Sequence, residues 1–220
     1  MILRLAIAWA LIAAVSSAEA GDRFPILSPE HMSPEQTKLM QALLAGPRGG
    51  GDVSPDAVNR MLQRGPFNAW LRSPELGERL QKVGEYIRFN TSLPLRLNEF
   101  AILITARHWT SQYEWYAHLP LALKAGLDPS IANQLALNKR PTGMKEDESA
   151  VYDFCTQLHS TKKVSDAAYK RAVALFGEKG VMDLIGVSGY YTAVSMTLNV
   201  AEVPVPAGVT NTVQIMDYYD

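Results

Sequence analysis

Four polar side chains stand close together in an otherwise apolar stretch of this chain: Glu99, Ser111, Glu114 and His118. The last three are separated by three and then four residues, a spacing that places them on one face of a helix. Glu99 comes earlier, on a preceding apolar helix, and can fold back onto the same face. Two carboxylates and an imidazole inside an apolar helical hairpin are costly unless they pair with one another. This arrangement is typical of a proton-transfer site.

Three interpretations of this cluster compete. In the first, an imidazole with a pKa of about 6.5 and a carboxylate in apolar surroundings exchange protons near neutral pH. In the second, the cluster is a redox site, but such a site needs an attacking and a resolving thiol, and the chain has one cysteine, Cys155. In the third, Glu114 and His118 join Glu99 or His108 around a divalent metal, or simply form a structural pair.

Apolar residues recur at helical spacing along the chain, and no alternating strand pattern does, so the fold is predicted to be all-α. Ser-Pro-Glu triplets at Ser33 and Ser73 predict helix starts. The two helices that carry the cluster are predicted to meet near residues 109–111. Further helices are predicted at 129–137, 146–159, 165–176 and 178–199.

Other residues are predicted to be structural. The helix after Ser73 repeats apolar side chains at the spacing of a buried face: Leu76, Leu80, Val83 and Ile87. The sequence RGGGD at 48–52 lacks the Lys-Ser/Thr of a phosphate loop and predicts a flexible connection. Cys155 lies in an apolar run and is predicted to be a core cysteine, whereas His31 and His159 are predicted to lie on the surface.

Composition limits the class of protein and its partners. The chain has 220 residues, 47% of them hydrophobic, which suits one globular domain with a sizeable core. Its net charge of −1 predicts no nucleic-acid partner. Arg4, the apolar run 5–15 and Ala18-Glu19-Ala20 match a secretory signal peptide over residues 1–20. We therefore expect a periplasmic or secreted protein with no membrane contact after cleavage, because the run is shorter than the roughly twenty residues of a membrane span.

The residues of the cluster resemble the carboxymuconolactone decarboxylase family, which also contains the alkyl hydroperoxidase D-like proteins. In the redox branch of that family the motif is a Glu, eleven residues, and then Cys-x-x-Cys-x-x-x-His. Glu99 and His118 match its Glu and His, whereas Ser111 and Glu114 stand where the two cysteines would be. The segment EWYAHLPLALKAGL and the later residues 177–206 also look like the decarboxylase-like branch.

The resemblance implies an alkyl hydroperoxidase D-like helical bundle over residues 55–208. An N-terminal arm and helix (21–54) would precede it, and a C-terminal tail (209–220) would follow. It also implies a homotrimer or homohexamer with the site near a subunit boundary. The segment 59–68 is implied to lie over the mouth of the site or against a neighbouring subunit.

The activity implied is acid/base decarboxylation of a small carboxylated or lactone-like substrate, with no cofactor and no metal. His118 would donate or accept the proton, Glu99 would orient its ring or shuttle the proton, and Glu114 would face the substrate. Peroxidase activity, or a non-catalytic or metal-binding oligomer, is the alternative. The residues implied to bind substrate are Ser111, Arg107 and Tyr113. Other aromatic residues that could line a pocket for a flat substrate are Trp109, Trp115, Tyr116, Tyr190 and Tyr191.

Overall fold

A computed structural model describes residues 23–210 and Val213, and these residues form helices and loops without a strand. The all-α prediction is therefore confirmed for this part of the chain. The predicted signal peptide lies outside the described residues. After a short 3-10 turn at Pro29–His31, the helices are α1 (Pro34–Ala45), α2 (Pro55–Leu62), α3 (Phe67–Trp70), α4 (Pro74–Phe89), α5 (Leu95–His108), α6 (Gln112–Lys124), α7 (Pro129–Ala136), α8 (Glu146–Thr161) and α9 (Asp166–Val200).

Local sequence signals set several helix ends. At the start of α1 the Ser33 hydroxyl accepts from the Gln36 backbone, and the Gln36 side chain accepts from the Ser33 backbone, which forms the predicted capping box. Gly177 has a φ of 67° and breaks α9 into two stretches, as the prediction of separate helices at 165–176 and 178–199 required. None of the helices among the described residues combines the length and the hydrophobicity that a membrane span needs.

Helix α5 is the centre of the molecule. Every residue from 97 to 107 is buried, and α5 packs against α6, α8 and α9. Cys155 of α8 lies in this core as predicted, where burial raises the pKa of its thiol to about 12. A polar side chain on α5 that points toward α6 is therefore removed from solvent, and this fixes the environment of Glu99.

Helix α4 buries only part of the apolar face that its sequence predicts. Ile87 is buried and Leu80 packs against the core, whereas Leu76 and Val83 are 54% and 50% exposed. The other residues that α4 buries are Gly77, Gln81 and Gly84. The prediction was wrong for Leu76 and Val83 because close approach to α1 and α9, rather than side-chain hydropathy, selects the face. A Cβ atom at Gly77 would lie only 2.7 Å from Cδ2 of Leu39 on α1.

His159 was also predicted wrongly, since it is buried rather than on the surface, whereas His31 is exposed as predicted. The last turns of α8 pack on α5, where the His159 ring stacks on His108 with 4.9 Å between ring centroids. Nε2 of His159 lies 3.0 Å from the hydroxyl of Thr105. Burial, together with the charges of His108 and Lys162, lowers the pKa of His159 to about 4, so the ring is neutral at physiological pH.

A buried ion pair ties the start of α5 to the start of α8. Arg96 donates to the carboxylates of Glu148 and Asp147, at 2.7 Å for Asp147. The side chain of Glu148 is 1% exposed, and its second oxygen accepts from the backbone of Lys145 at 2.7 Å. Both oxygens of this buried carboxylate therefore have a partner.

We expect Arg96→Met to lower the free energy of unfolding by about 3 kcal/mol, because it leaves the buried Glu148 carboxylate without its charged partner. Arg79→Met is the matched control, since Arg79 pairs with Glu75 on the exposed face of α4, and its cost should stay below about 1 kcal/mol. Urea unfolding of the three proteins measures both values. Equal costs for the two variants would contradict the structural role of the buried pair.

Candidate functional site

The structure brings the three predicted catalytic side chains together between α5 and α6. Nδ1 of His118 lies 2.6 Å from Oε2 of Glu99, and Nε2 of the same ring lies 3.4 Å from Oε2 of Glu114. All three side chains are at most 5% exposed. The imidazole therefore stands between two carboxyl groups, one on the neighbouring helix and one a turn earlier on its own helix.

The hydrogen bond to Glu99 fixes the state of the His118 ring. A carboxylate is only an acceptor, so Nδ1 carries the hydrogen and donates it to Glu99. Nε2 is then the ring atom left to exchange protons with Glu114 or with a substrate. This division of roles between the two nitrogens is the arrangement used by general acid/base histidines.

Glu114 differs from Glu99 in its hydrogen bonding. Its Oε2 has no hydrogen-bond partner among the described residues and lies 3.4 Å from Nε2 of His118. Burial raises the pKa of the Glu114 carboxyl above its usual value of 4.5, and the charges of His118 and Arg88 oppose this rise. Burial therefore stabilises the protonated form of this side chain relative to that of an exposed glutamate.

Two tyrosines of α9 close the inner side of the site. The Tyr191 ring meets the His118 ring edge to face, with 5.0 Å between centroids, and Tyr190 meets Tyr191 in the same way at 5.2 Å. Burial raises the pKa of Tyr190 to about 12 and that of Tyr191 well above its usual value, so both phenols remain neutral. Their rings restrict the access of water to the imidazole.

Glu114 and His118 open into a cavity of about 340 Å³. Residues 64–67, within the segment that the family resemblance places over the site, form part of its wall. Tyr113, one of the predicted substrate-binding residues, also lines it. Aromatic side chains at four further positions form much of the apolar part of the wall: Trp70, Phe89, Tyr190 and Tyr191. The space and its flat walls suit a small planar molecule.

Three arginines that the sequence reasoning missed also line this cavity: Arg48, Arg64 and Arg88. They come from the loop after α1, the turn after α2 and the end of α4. No local motif joins them, and Arg48 lies in the loop that was predicted to be only a flexible connection. Positive charge is the feature of the sequence that could have pointed to them. In the described part of the chain, none of the three forms a salt bridge.

Two predicted substrate-binding residues do not line the cavity. Ser111 is buried at the N-cap of α6, where its backbone is extended rather than helical, so the helical spacing that placed it on the face of Glu114 does not apply. Arg107 is 2% exposed on α5. It lies about 12 Å along the helix axis from Glu99 and points in a different direction. Neither residue is among those that line the cavity.

The redox and metal interpretations gain no support from the geometry. Cys155 lies in the core beside Ser188, with 3.7 Å between Sγ and the hydroxyl, and is not part of the cavity wall. Within residues 23–210, no group of three or more histidine, cysteine, aspartate or glutamate side chains is arranged to hold a metal ion. The arrangement of Glu99, His118 and Glu114 is that of a chain of proton donors and acceptors.

Comparison with known proteins identified no similar protein. No protein-family model matches the chain, and neither the curated proteins nor the solved structures include a match to it.

We expect Glu114→Gln to stabilise the protein at alkaline pH and to leave its stability nearly unchanged at pH 4. Because burial raises the pKa of Glu114, the unfolded chain loses this proton at a lower pH than the folded chain does. The carboxyl therefore becomes destabilising as the pH rises from 4.5 through its folded-state pKa. The gain at pH 8 should be about 1–2 kcal/mol, as for other substitutions that relieve strain at a functional site.

Urea unfolding at the two pH values measures this difference. Glu75→Gln is the control, because Glu75 lies on the exposed face of α4 with its side chain 84% exposed. A gain for Glu114→Gln that is the same at pH 4 and pH 8 would contradict a raised pKa at Glu114.

Proposed function

We propose that this protein is a cofactor-free acid/base lyase of the carboxymuconolactone decarboxylase type, acting on a small carboxylated or lactone-like substrate. The observation that supports this most is the line of contacts from Glu99 through His118 to Glu114, which ends in a cavity of about 340 Å³. A structural Glu–His pair would not need a second buried carboxyl that lines a cavity on the far side of the ring.

The fold, assembly and location are part of the same proposal. The α5–α6 hairpin that carries Glu99 and His118 is the element on which the family resemblance rests. We propose an alkyl hydroperoxidase D-like bundle that assembles as a homotrimer or homohexamer and is exported by residues 1–20. Large apolar side chains exposed on α4 and α9 support assembly: Leu76, Val83, Met182, Ile185 and Met196.

The reaction breaks the bond between a substrate carbon and its carboxylate. Carbon dioxide leaves, and the electron pair moves into the conjugated carbonyl system of the substrate, so no organic cofactor has to accept it. The resulting enolate is then protonated on carbon. The proton comes from the pair formed by Nε2 of His118 and Oε2 of Glu114, and water returns a proton to this pair after the product leaves.

The surroundings of the pair assist each step. Glu99 holds the imidazole in the orientation that directs Nε2 at the substrate, because its bond to Nδ1 at 2.6 Å fixes the ring. The edge of Tyr191 and the walls of the cavity limit the water that competes for the carbanion. Burial raises the pKa of Glu114, which weakens its repulsion of an anionic substrate.

We expect His118→Ala and Glu114→Gln to lower kcat by 10²-fold or more on any substrate found in a panel of small lactone acids and conjugated carboxylic acids, since each removes one member of the proton-donating pair. Glu99→Gln should lower kcat less, because an amide still accepts from Nδ1. Release of carbon dioxide and uptake of solvent deuterium on carbon are the measurements.

His31→Ala is the matched control for His118→Ala, since His31 is an exposed histidine outside the cavity. Its turnover should equal that of the unmodified protein. Circular dichroism establishes that the variants remain helical. Turnover by His118→Ala at the unmodified rate would exclude the proposed acid/base role.

A further inference from the structure

Arg48 is held in a defined position at the wall of the cavity, although it belongs to a loop. Its Nη1 donates to the backbone carbonyl of Gln81 at 3.1 Å, and its Nη2 lies 3.4 Å from the hydroxyl of Tyr190. Arg64 in turn donates to the backbone carbonyl of Arg48 at 2.8 Å. The Arg48 side chain is half-buried and lines the same space as Glu114. These contacts leave part of the guanidinium facing the cavity.

Gly84 of α4 provides the room that Arg48 occupies. A Cβ atom at this buried helical position would lie 2.4 Å from Nη2 of Arg48 and 1.9 Å from the hydroxyl of Tyr190. Glycine weakens a helix interior, so its presence here needs a reason in the packing. The reason is that only a residue without a Cβ lets the guanidinium and the phenol approach α4.

The wall around Arg48 carries more positive charge than the described residues neutralise. Arg64 and Arg88 line the same cavity, and none of the three arginines pairs with a described carboxylate. Burial, and then the charges of Arg88, Arg60 and Arg48, lower the pKa of Arg64 against the opposing effect of Tyr113. An anion in the cavity would relieve this repulsion and accept a forked hydrogen bond.

We propose that Arg48 is the specificity-determining residue of this cavity and binds an anionic group that the substrate keeps through the reaction. This inference rests on the proposed acid/base function. A carboxylate that leaves as carbon dioxide loses its charge, so an arginine that held it would stabilise the substrate more than the transition state. The arginine is therefore useful on a second carboxylate that the substrate retains, and Arg48 is the residue placed to hold it.

Isothermal titration calorimetry of the full-length protein with three unreactive probes tests this assignment. Phthalate carries two carboxylates on a flat ring, benzoate carries one, and benzamide carries none. We expect phthalate to bind at least 10-fold more tightly than benzoate, and benzamide to bind most weakly. Equal affinity for phthalate and benzamide, or no binding of phthalate, would overturn the proposal.

Two variants address Arg48 itself. Arg48→Gln and Gly84→Ala should each weaken phthalate binding at least 10-fold, the second because its new Cβ displaces the guanidinium. Arg79→Gln, at an exposed arginine of α4, and Gly189→Ala, at a helical glycine with open space beside it, are the matched controls and should bind phthalate like the unmodified protein. Unchanged phthalate affinity in Arg48→Gln would show that the assignment is wrong.

Titration and turnover assays of the unmodified protein separate this inference from the proposed function. Phthalate binding that depends on Arg48, together with an absence of turnover on every acid tested, would refute the lyase function and leave the anion site standing. Turnover of monocarboxylates as fast as dicarboxylates would refute the role of Arg48 and leave the lyase function standing.

Discussion

The site depends on one buried hydrogen bond, which joins Nδ1 of His118 to Oε2 of Glu99 over 2.6 Å between α5 and α6. Each group would be costly in the core without the other. The hydrogen bond between them offsets the cost of burying both groups. It also sets the direction of the imidazole and the nitrogen that carries its hydrogen. Nε2 of His118 then faces Glu114. Its position is therefore set by the hydrogen bond that Nδ1 makes to Glu99 on the opposite side of the ring.

The same core that supports this bond places the two glutamates in different surroundings. Glu99 is satisfied by His118, whereas one Glu114 oxygen has no hydrogen bond within the described residues and its pKa is raised by burial. Arginines concentrate positive charge on the other side of the cavity, where Gly84 makes room for Arg48. Two carboxyls of one type thus have different partners because their surroundings differ, which is a recurrent way of building acid/base sites.

The sequence was sufficient for the features that depend on local spacing. Helical periodicity, the Ser33 cap and the break at Gly177 follow from neighbours in the chain, and the family resemblance aligned Glu99 with His118. Features set by tertiary contact were not predictable in this way. The arginine wall joins residues from separate elements, and the buried face of α4 is chosen by how closely α1 and α9 approach it. His159 looked like a surface residue because nothing in its local sequence shows that it stacks on His108.

The most direct test of the site is the tautomer of His118, observed by nitrogen-15 NMR of the imidazole ring. We expect Nδ1 to carry a hydrogen whose resonance lies far downfield, because it donates to the Glu99 carboxylate. Glu99→Gln should move that hydrogen upfield. A neutral ring with its hydrogen on Nε2 and a bare Nδ1 would show that the hydrogen bond to Glu99 does not exist, and the proposed chemistry would lose its basis.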